Sequence, residues 1–312
     1  MAEMRAVASG LRFPEGPVAM PDGSVVLVEI ERGTVTRVTA DGKVTVVAET
    51  GGGPNGAALG PDGKLYVCNN GGFVWGELDG LLVPGDAPSD YGGGRIQRVD
   101  LDTGKVDDVY TECDGERLRG PNDIVFDAEG GFYFSDLGKG HSDTGTVDRG
   151  ALYYAKPDGS SITRVAGPLD HPNGVGLSPD GRRLYAAETY TGRLWWWEVL
   201  GPGQVQGGAT FFGSGGGNFL YSSSGYELYD SLAIDSAGNV CQATILHPGI
   251  SVVSPEGKLV DFVDVPGKDP VITNICFGGP DLRTAYITAS GTGVLYATEW
   301  ARPGAKLHFL NT

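Results

Sequence analysis

Apolar positions along the chain fall into short runs with polar residues interleaved, among them Val25-Val26-Leu27-Val28, Thr34 to Val38, Val44 to Ala48, Leu65-Tyr66-Val67, Phe132-Tyr133-Phe134 and Leu194 to Val199. Glycine, proline and aspartate punctuate them, and no segment sustains a 3.6-residue period over ten positions. Short alternating runs bounded by turn residues predict β-strands, and the missing helical period removes α/β folds from consideration.

The runs are organised by a phrase that recurs six times: a proline or other residue, a polar residue, a small residue, an apolar run, a glycine turn and a second apolar run. Its copies begin at Pro14-Glu15-Gly16, Pro54-Asn55-Gly56, Pro121-Asn122-Asp123, Pro172-Asn173-Gly174, Tyr229-Asp230-Ser231 and Thr273-Asn274-Ile275. In five copies the turn glycine follows the polar residue by eight positions (Gly23, Gly63, Gly130, Gly181, Gly238); the sixth carries Gly278-Gly279-Pro280-Asp281 instead. The first copy continues into about four strands within roughly 45 residues, the size of a propeller blade. The predicted fold is therefore all-β, a six-bladed β-propeller with four antiparallel strands per blade, forming one domain over residues 1–312. A segment at residues 4–9 is placed to close the last blade. A constant offset puts Glu15, Asn55, Asn122, Asn173, Asp230 and Asn274 at one level of six equivalent inner strands, so that their side chains meet at the axis.

Two stretches break the spacing and are expected to overhang the channel mouth. Residues 71–94 lie inside the second repeat and carry Phe73, Trp75, Leu81, Leu82 and Tyr91; residues 213–226 lie between the fourth and fifth repeats. Long insertions in compact domains are commonly functional, and the aromatics of the first favour a lid. A third insert, Gly138 to Arg149, is polar. Trp195-Trp196-Trp197 resembles a carbohydrate platform, but alternate residues of a strand face opposite sides, so packing between blades is the expected role.

Composition narrows the partners. The chain has 312 residues, 52 glycines, 19 prolines and a formal net charge of −16. That charge disfavours nucleic acid and anionic membrane surfaces as partners and accommodates a bound cation. With no signal-peptide pattern and no apolar run near the roughly 20 residues of a membrane helix, a cytoplasmic protein is expected. Cys68, Cys113, Cys241 and Cys276 are widely separated, which predicts buried thiols.

Several local matches fail on context. Gly51 to Gly56 fits a dinucleotide-binding pattern with no helix to follow. Asp100-Leu101-Asp102-Thr103-Gly104 begins like a calcium loop but has Lys105 and Thr111 where glycine and glutamate belong. GxSxG and HExxH spacings are absent, and His141, His171, His247 and His308 form no motif. The ring of six remains. Asparagine before glycine suits a turn, which explains Asn55 and Asn173; Glu15 and Asp230 fit a turn less well. Two carboxylates converging with amide oxygens make a hard, oxygen-rich site for one divalent metal ion, Ca²⁺, Mg²⁺ or Mn²⁺, with Fe²⁺ or Zn²⁺ admitted.

The phrases Phe13-Pro14-Glu15-Gly16-Pro17, Gly120-Pro121-Asn122-Asp123-Ile124-Val125, His171-Pro172-Asn173-Gly174 and Cys276-Phe277-Gly278-Gly279-Pro280-Asp281, in this order, resemble the SMP-30/gluconolactonase family of regucalcin-like sugar lactonases. The resemblance implies a six-bladed propeller that hydrolyses a small-molecule aldonolactone with one divalent metal, Ca²⁺ foremost. It implies Glu15, Asn173 and Asp230 as ligands, Asn122 completing the site or holding substrate, and Asp230 as candidate base. Arg119 is an offset counterpart of a substrate-binding arginine, and Asn55 and Trp75 are further substrate-side candidates. Ser231 departs from the glycine common after the aspartate. A propeller hydrolase of non-sugar lactones, aryl esters or phosphotriesters, and a non-catalytic binding propeller, are the competing readings.

Overall fold

The computed structural model describes residues 3–141, 143–208 and 215–311, and among these there is no helix. None is therefore long and apolar enough to cross a membrane. Six antiparallel sheets of four or five strands stand around an axis as the blades of a propeller. Their innermost strands are Pro14–Ala19, Pro54–Leu59, Pro121–Phe126, Pro172–Leu177, Leu228–Ile234 and Ile272–Gly278. Each of the six repeated phrases thus opens an inner strand. Arg5–Ala8 pairs with Val294–Glu299 as the outermost strand of blade six, so the chain's two ends share one sheet.

The phrase folds this way for a local reason. In every blade the inner strand carries a register irregularity at or just before the polar residue: Glu15 faces Val28 and Val18 faces Val26, so three steps on one strand match two on the other. The same shift occurs at Pro54/Ala57, Pro121/Ile124, Pro172/Val175 and Tyr229/Leu232, and blade six has its extra residue just before the polar one, with two steps against one at Ile272/Asn274. A bulge twists the strand and re-aims the side chain at the extra residue. The asparagine-glycine pairs therefore sit in bulges and not in hairpin tips. The small residue after the polar one serves packing between blades. A Cβ on Gly16 would come within 2.3 Å of the Asn55 carbonyl oxygen, and one on Gly56 within 2.4 Å of the Asn122 carbonyl oxygen. The five turn glycines all adopt left-handed backbone, with φ from 69° to 83°.

Between blades the core is made of alternate strand residues. Val26, Val28 and Val35 of blade one pack with Leu65, Val67 and Val99 of blade two. Trp195 and Trp197 are buried towards blade three, whereas Trp196 turns the other way, under the Arg183 guanidinium at 4.3 Å. All four cysteines are buried and free.

The two ends of the channel differ. At the end where the inner strands finish, Ala305, Lys306, Leu307 and His308 close a cavity lined by Ile124, Val175, Leu232 and Ile275. At the other end stand the polar ring and the long loops. Residues 71–94 form a hairpin, Trp75–Leu78 with Leu81–Pro84, that reaches from blade two over blade one to blade six, where the Leu82 amide donates to the Gly291 carbonyl at 2.9 Å. The stretch 213–226 divides. Residues 213 and 214 lie outside the described residues, and Asn218–Ser222 is an outer-edge strand of blade four.

Candidate metal and catalytic site

The six polar residues open the six inner strands at one level, five of them closely buried: Glu15, Asn55, Asn122, Asn173 and Asn274. Asp230 keeps some exposure along the channel, yet protein encloses it deeply enough that desolvation dominates its ionisation. The ring is stitched by neighbour contacts. Asn274 Nδ2 donates to Glu15 Oε2 at 2.7 Å, and the Gly16 amide donates to the same oxygen at 2.6 Å. Asn173 Nδ2 donates to Thr189 Oγ1 at 3.2 Å, and the Ser231 hydroxyl reaches Asn173 Oδ1 at 3.4 Å. Gln242 Nε2, from the second strand of blade five, donates to the Asp230 carbonyl at 2.9 Å and holds that bulge in place.

Electrostatically the ring is a cluster of unwilling anions. Burial raises the Glu15 carboxyl, with the Asn274 and Gly16 donors pulling the other way. Asp230 is pushed well above the usual carboxylate range, first by burial and then by the Glu15 charge, with an Asn173 hydrogen bond opposing. Asp123 joins them. Burial, reinforced by Glu15, pushes it to about 8 although the Val175 and Ile124 amides donate to it. Two oxygens in this ring, Glu15 Oε1 and Asn122 Oδ1, are buried without a hydrogen-bond partner. The Thr273 hydroxyl near Glu15 is already engaged with Thr288 and Ser290. Buried acceptors without donors cost roughly 1–3 kcal/mol each, so each of these oxygens calls for a cation or a donor beside it.

The donor set is all oxygen: carboxylates from Glu15 and Asp230, amide oxygens from Asn122 and Asn173. That chemistry fits a hard divalent cation. Among the described residues no three His, Cys, Asp or Glu side chains come close enough to hold a metal by themselves, so any such site depends on the asparagines.

Of the other candidates, Arg119 and Trp75 lie away from this ring. Arg119 is half-exposed at the mouth, paired with Asp148 at 3.2 Å, and its own amide donates to Asp136. Trp75 is packed between Phe13, at 5.0 Å between ring centres, and Phe73, at 5.9 Å. Asn55 is buried in the ring beside Gly16. Reading by sequence missed Asp123, because the repeat directs attention to the first polar residue; the signal was an acidic residue where the first, second and fourth copies carry glycine.

Comparison with known proteins agrees with the architecture. Residues 13–291 match the model of the SMP-30/gluconolactonase/LRE-like region. Lactonase drp35 of Staphylococcus saprophyticus is 32% identical over 249 residues, covering 79% of this chain and 68% of that protein. A gluconolactonase from Xanthomonas campestris superposes with a TM-score of 0.74 at 22% identity, over 96% of this chain and 89% of its own. A calcium-binding regucalcin from Agrobacterium tumefaciens does so with 0.71 at 17% identity, over 100% and 98%. Propeller, repeated phrase and family model coincide over most of the chain, which therefore belongs to the SMP-30/gluconolactonase/LRE-like family.

Proposed function

We propose that this protein is a divalent-metal-dependent lactonase that opens a sugar lactone to its aldonic acid at the mouth end of the channel. Membership of the family and the lactonase and gluconolactonase among its relatives support lactone hydrolysis. The single observation that carries metal dependence is the partnerless pair Glu15 Oε1 and Asn122 Oδ1 within a ring of carboxylates. Glu15, Asn173 and Asp230, with Asn122, would hold the ion. Ca²⁺ is the first choice for an all-oxygen set, and the calcium-binding regucalcin with the same fold is consistent with it.

When bound, the cation supplies Lewis acidity at the lactone carbonyl. The chain's own residues do the remaining work. Asp230, raised by burial and by Glu15, is a stronger base than an ordinary carboxylate and is suited to accept a proton. It takes that proton from a water molecule as the water oxygen bonds to the carbonyl carbon. When the ring C–O bond breaks, the leaving oxygen recovers the proton from Asp230, giving a hydroxy acid with atoms and charge balanced. Asn274 and the Gly16 amide orient Glu15 and oppose the upward pull of burial on its carboxyl, and Thr189 and Ser231 hold Asn173.

Chelation followed by a panel of added metals tests this reading. Loss of aldonolactone hydrolysis with recovery on adding a divalent ion is expected; full activity in metal-free protein would falsify it. The competing reading as a hydrolase of non-sugar lactones, aryl esters or phosphotriesters would draw on Phe73 and Trp75 of the 71–94 insert, and these two rings are largely engaged in packing that insert.

A further inference from the structure

Lys139 is the one lysine among the largest fully buried side chains of the described residues, with 1% of its surface exposed, and the chemistry above makes no use of it. It follows Asp136, at the mouth end of blade three, yet its contacts are with the insert that springs from blade two. Its Nζ donates to the Gly72 carbonyl at 2.8 Å and to Asn70 Oδ1 at 3.4 Å. The same nitrogen lies 3.8 Å from the centre of the Phe73 ring and 5.3 Å from that of Tyr91. These residues are the two ends of the insert, so one side chain grips both stems of the hairpin. Tyr91 adds a hydroxyl donated to the Arg119 carbonyl, again on blade three. The far tip is fastened on blade six through Leu82 and packed on blade one through Trp75.

A surface loop has no need of a buried amine. Desolvating a lysine is costly, and the expense is retained where the geometry it enforces matters. Phe73 and Trp75 stand between the pin and the Phe13 turn that leads into Glu15.

We propose that Lys139 is a positioning residue that pins the 71–94 insert across the channel mouth from blade three, so that the insert's placement sets substrate access and KM. The kinetic part rests on the lactonase reading; the pin does not.

The pin has a pH signature. Around Lys139 stand Asp136 on its own blade, Asp148 of the adjoining insert with its partners Arg119 and His141, His171 at the entry to blade four, and Tyr91. Burial brings the amine down to about 7 from 10.5. An insert that lifts away returns the amine to water and to its ordinary value, so lifting takes up a proton between those limits. Raising the pH through that window therefore tightens the insert.

Hydrogen–deuterium exchange on wild type, Lys139→Met and Lys139→Arg tests this. Methionine keeps the volume and removes donor and charge, so exchange in residues 70–94 should rise about tenfold, as loss of one buried hydrogen bond implies, while the six inner strands stay protected. In wild type, protection of 70–94 corrected for intrinsic rates should be greater at pH 9 than at pH 7. In Lys139→Arg, whose guanidinium stays charged, it should be flat. Aldonolactone kinetics of Lys139→Met should show KM moving several-fold while kcat moves less than twofold. Unchanged exchange at 70–94 in Lys139→Met overturns the pin, and raised exchange with unchanged KM overturns its role in access. A wild type that hydrolyses no lactone overturns the functional reading alone, because the exchange data judge the pin separately.

Discussion

Two sets of buried carboxylates occupy neighbouring levels of this molecule and are treated in opposite ways. At the mouth ends of second strands, Glu29, Asp136 and Glu188 each pair in register with the proline that opens the inner strand. Each accepts from the turn entering that strand and from groups that follow it in its own blade. Glu29 accepts from the Arg12 amide at 2.7 Å, the Thr36 hydroxyl at 2.7 Å and Arg32 at 2.6 Å; Asp136 accepts from the amides of Arg119, Gly120 and Gly138; Glu188 accepts from the Asp170 amide and the Thr191 hydroxyl. One level inward, Glu15 commits one oxygen and leaves the other without a donor, and Asp230 faces two other carboxylates. Burial also raises Asp136, so burial alone does not distinguish the sets. Satisfaction does. A carboxylate whose oxygens are all engaged by its own chain is structural, whereas one with a spare buried oxygen is held ready for something outside the chain.

The sharpest way to break this comparison is Asp230→Asn. It keeps an oxygen and nearly the same shape but cannot take a proton, so kcat on an aldonolactone should fall about 10³-fold, within the range for a lost general base. Thermal stability of the metal-free protein should hold or rise, since one repelling charge is gone. Wild-type kcat in this variant would place Asp230 with the structural set. Glu15→Gln comes next. Its metal affinity should drop at least about tenfold, roughly 1.4 kcal/mol, with activity recovering at high metal concentration; calorimetric titration measures the first and an assay the second. In the structural set the outcome should reverse. Glu29→Gln should cost about 1–2 kcal/mol in urea unfolding, because two or three donors lose a charged acceptor, while kcat and metal affinity stay within twofold. Arg119→Ala should have the smallest effect. Its pairing with Asp148 is exposed and worth less than about 1 kcal/mol, and KM rising more than about threefold would show that the guanidinium also meets substrate.

Much of this was legible because the phrase repeats. Six copies with a turn glycine at a constant distance gave blade number, inner strands and the level of the ring before any packing was known. The ring residues could be named because a repeat turns sequence position into height along an axis. Asp123 escaped that logic, being the residue after the repeated one. Lys139 escaped it for another reason: its partners Gly72, Phe73 and Tyr91 are roughly 50 to 70 positions away in a different blade, and nothing in the run Leu137-Gly138-Lys139-Gly140 marks it as buried. The stretch 213–226 shows the limit of composition, since a glycine- and serine-rich segment reads as one loop although Asn218–Ser222 adds to the edge of blade four.

By itself, then, the sequence determined the all-β class, six blades, the inner strands and the oxygen-rich character of the ring, because strand alternation and turn chemistry act over a few residues and repetition propagates them. Tertiary structure alone decided which oxygens are spent and which are spare. It also decided where the bulges aim the ring, and which insert lies over the mouth and what fastens it. Those depend on contacts between blades distant in the chain, where a single hydrogen bond or a close backbone approach settles the role of a residue.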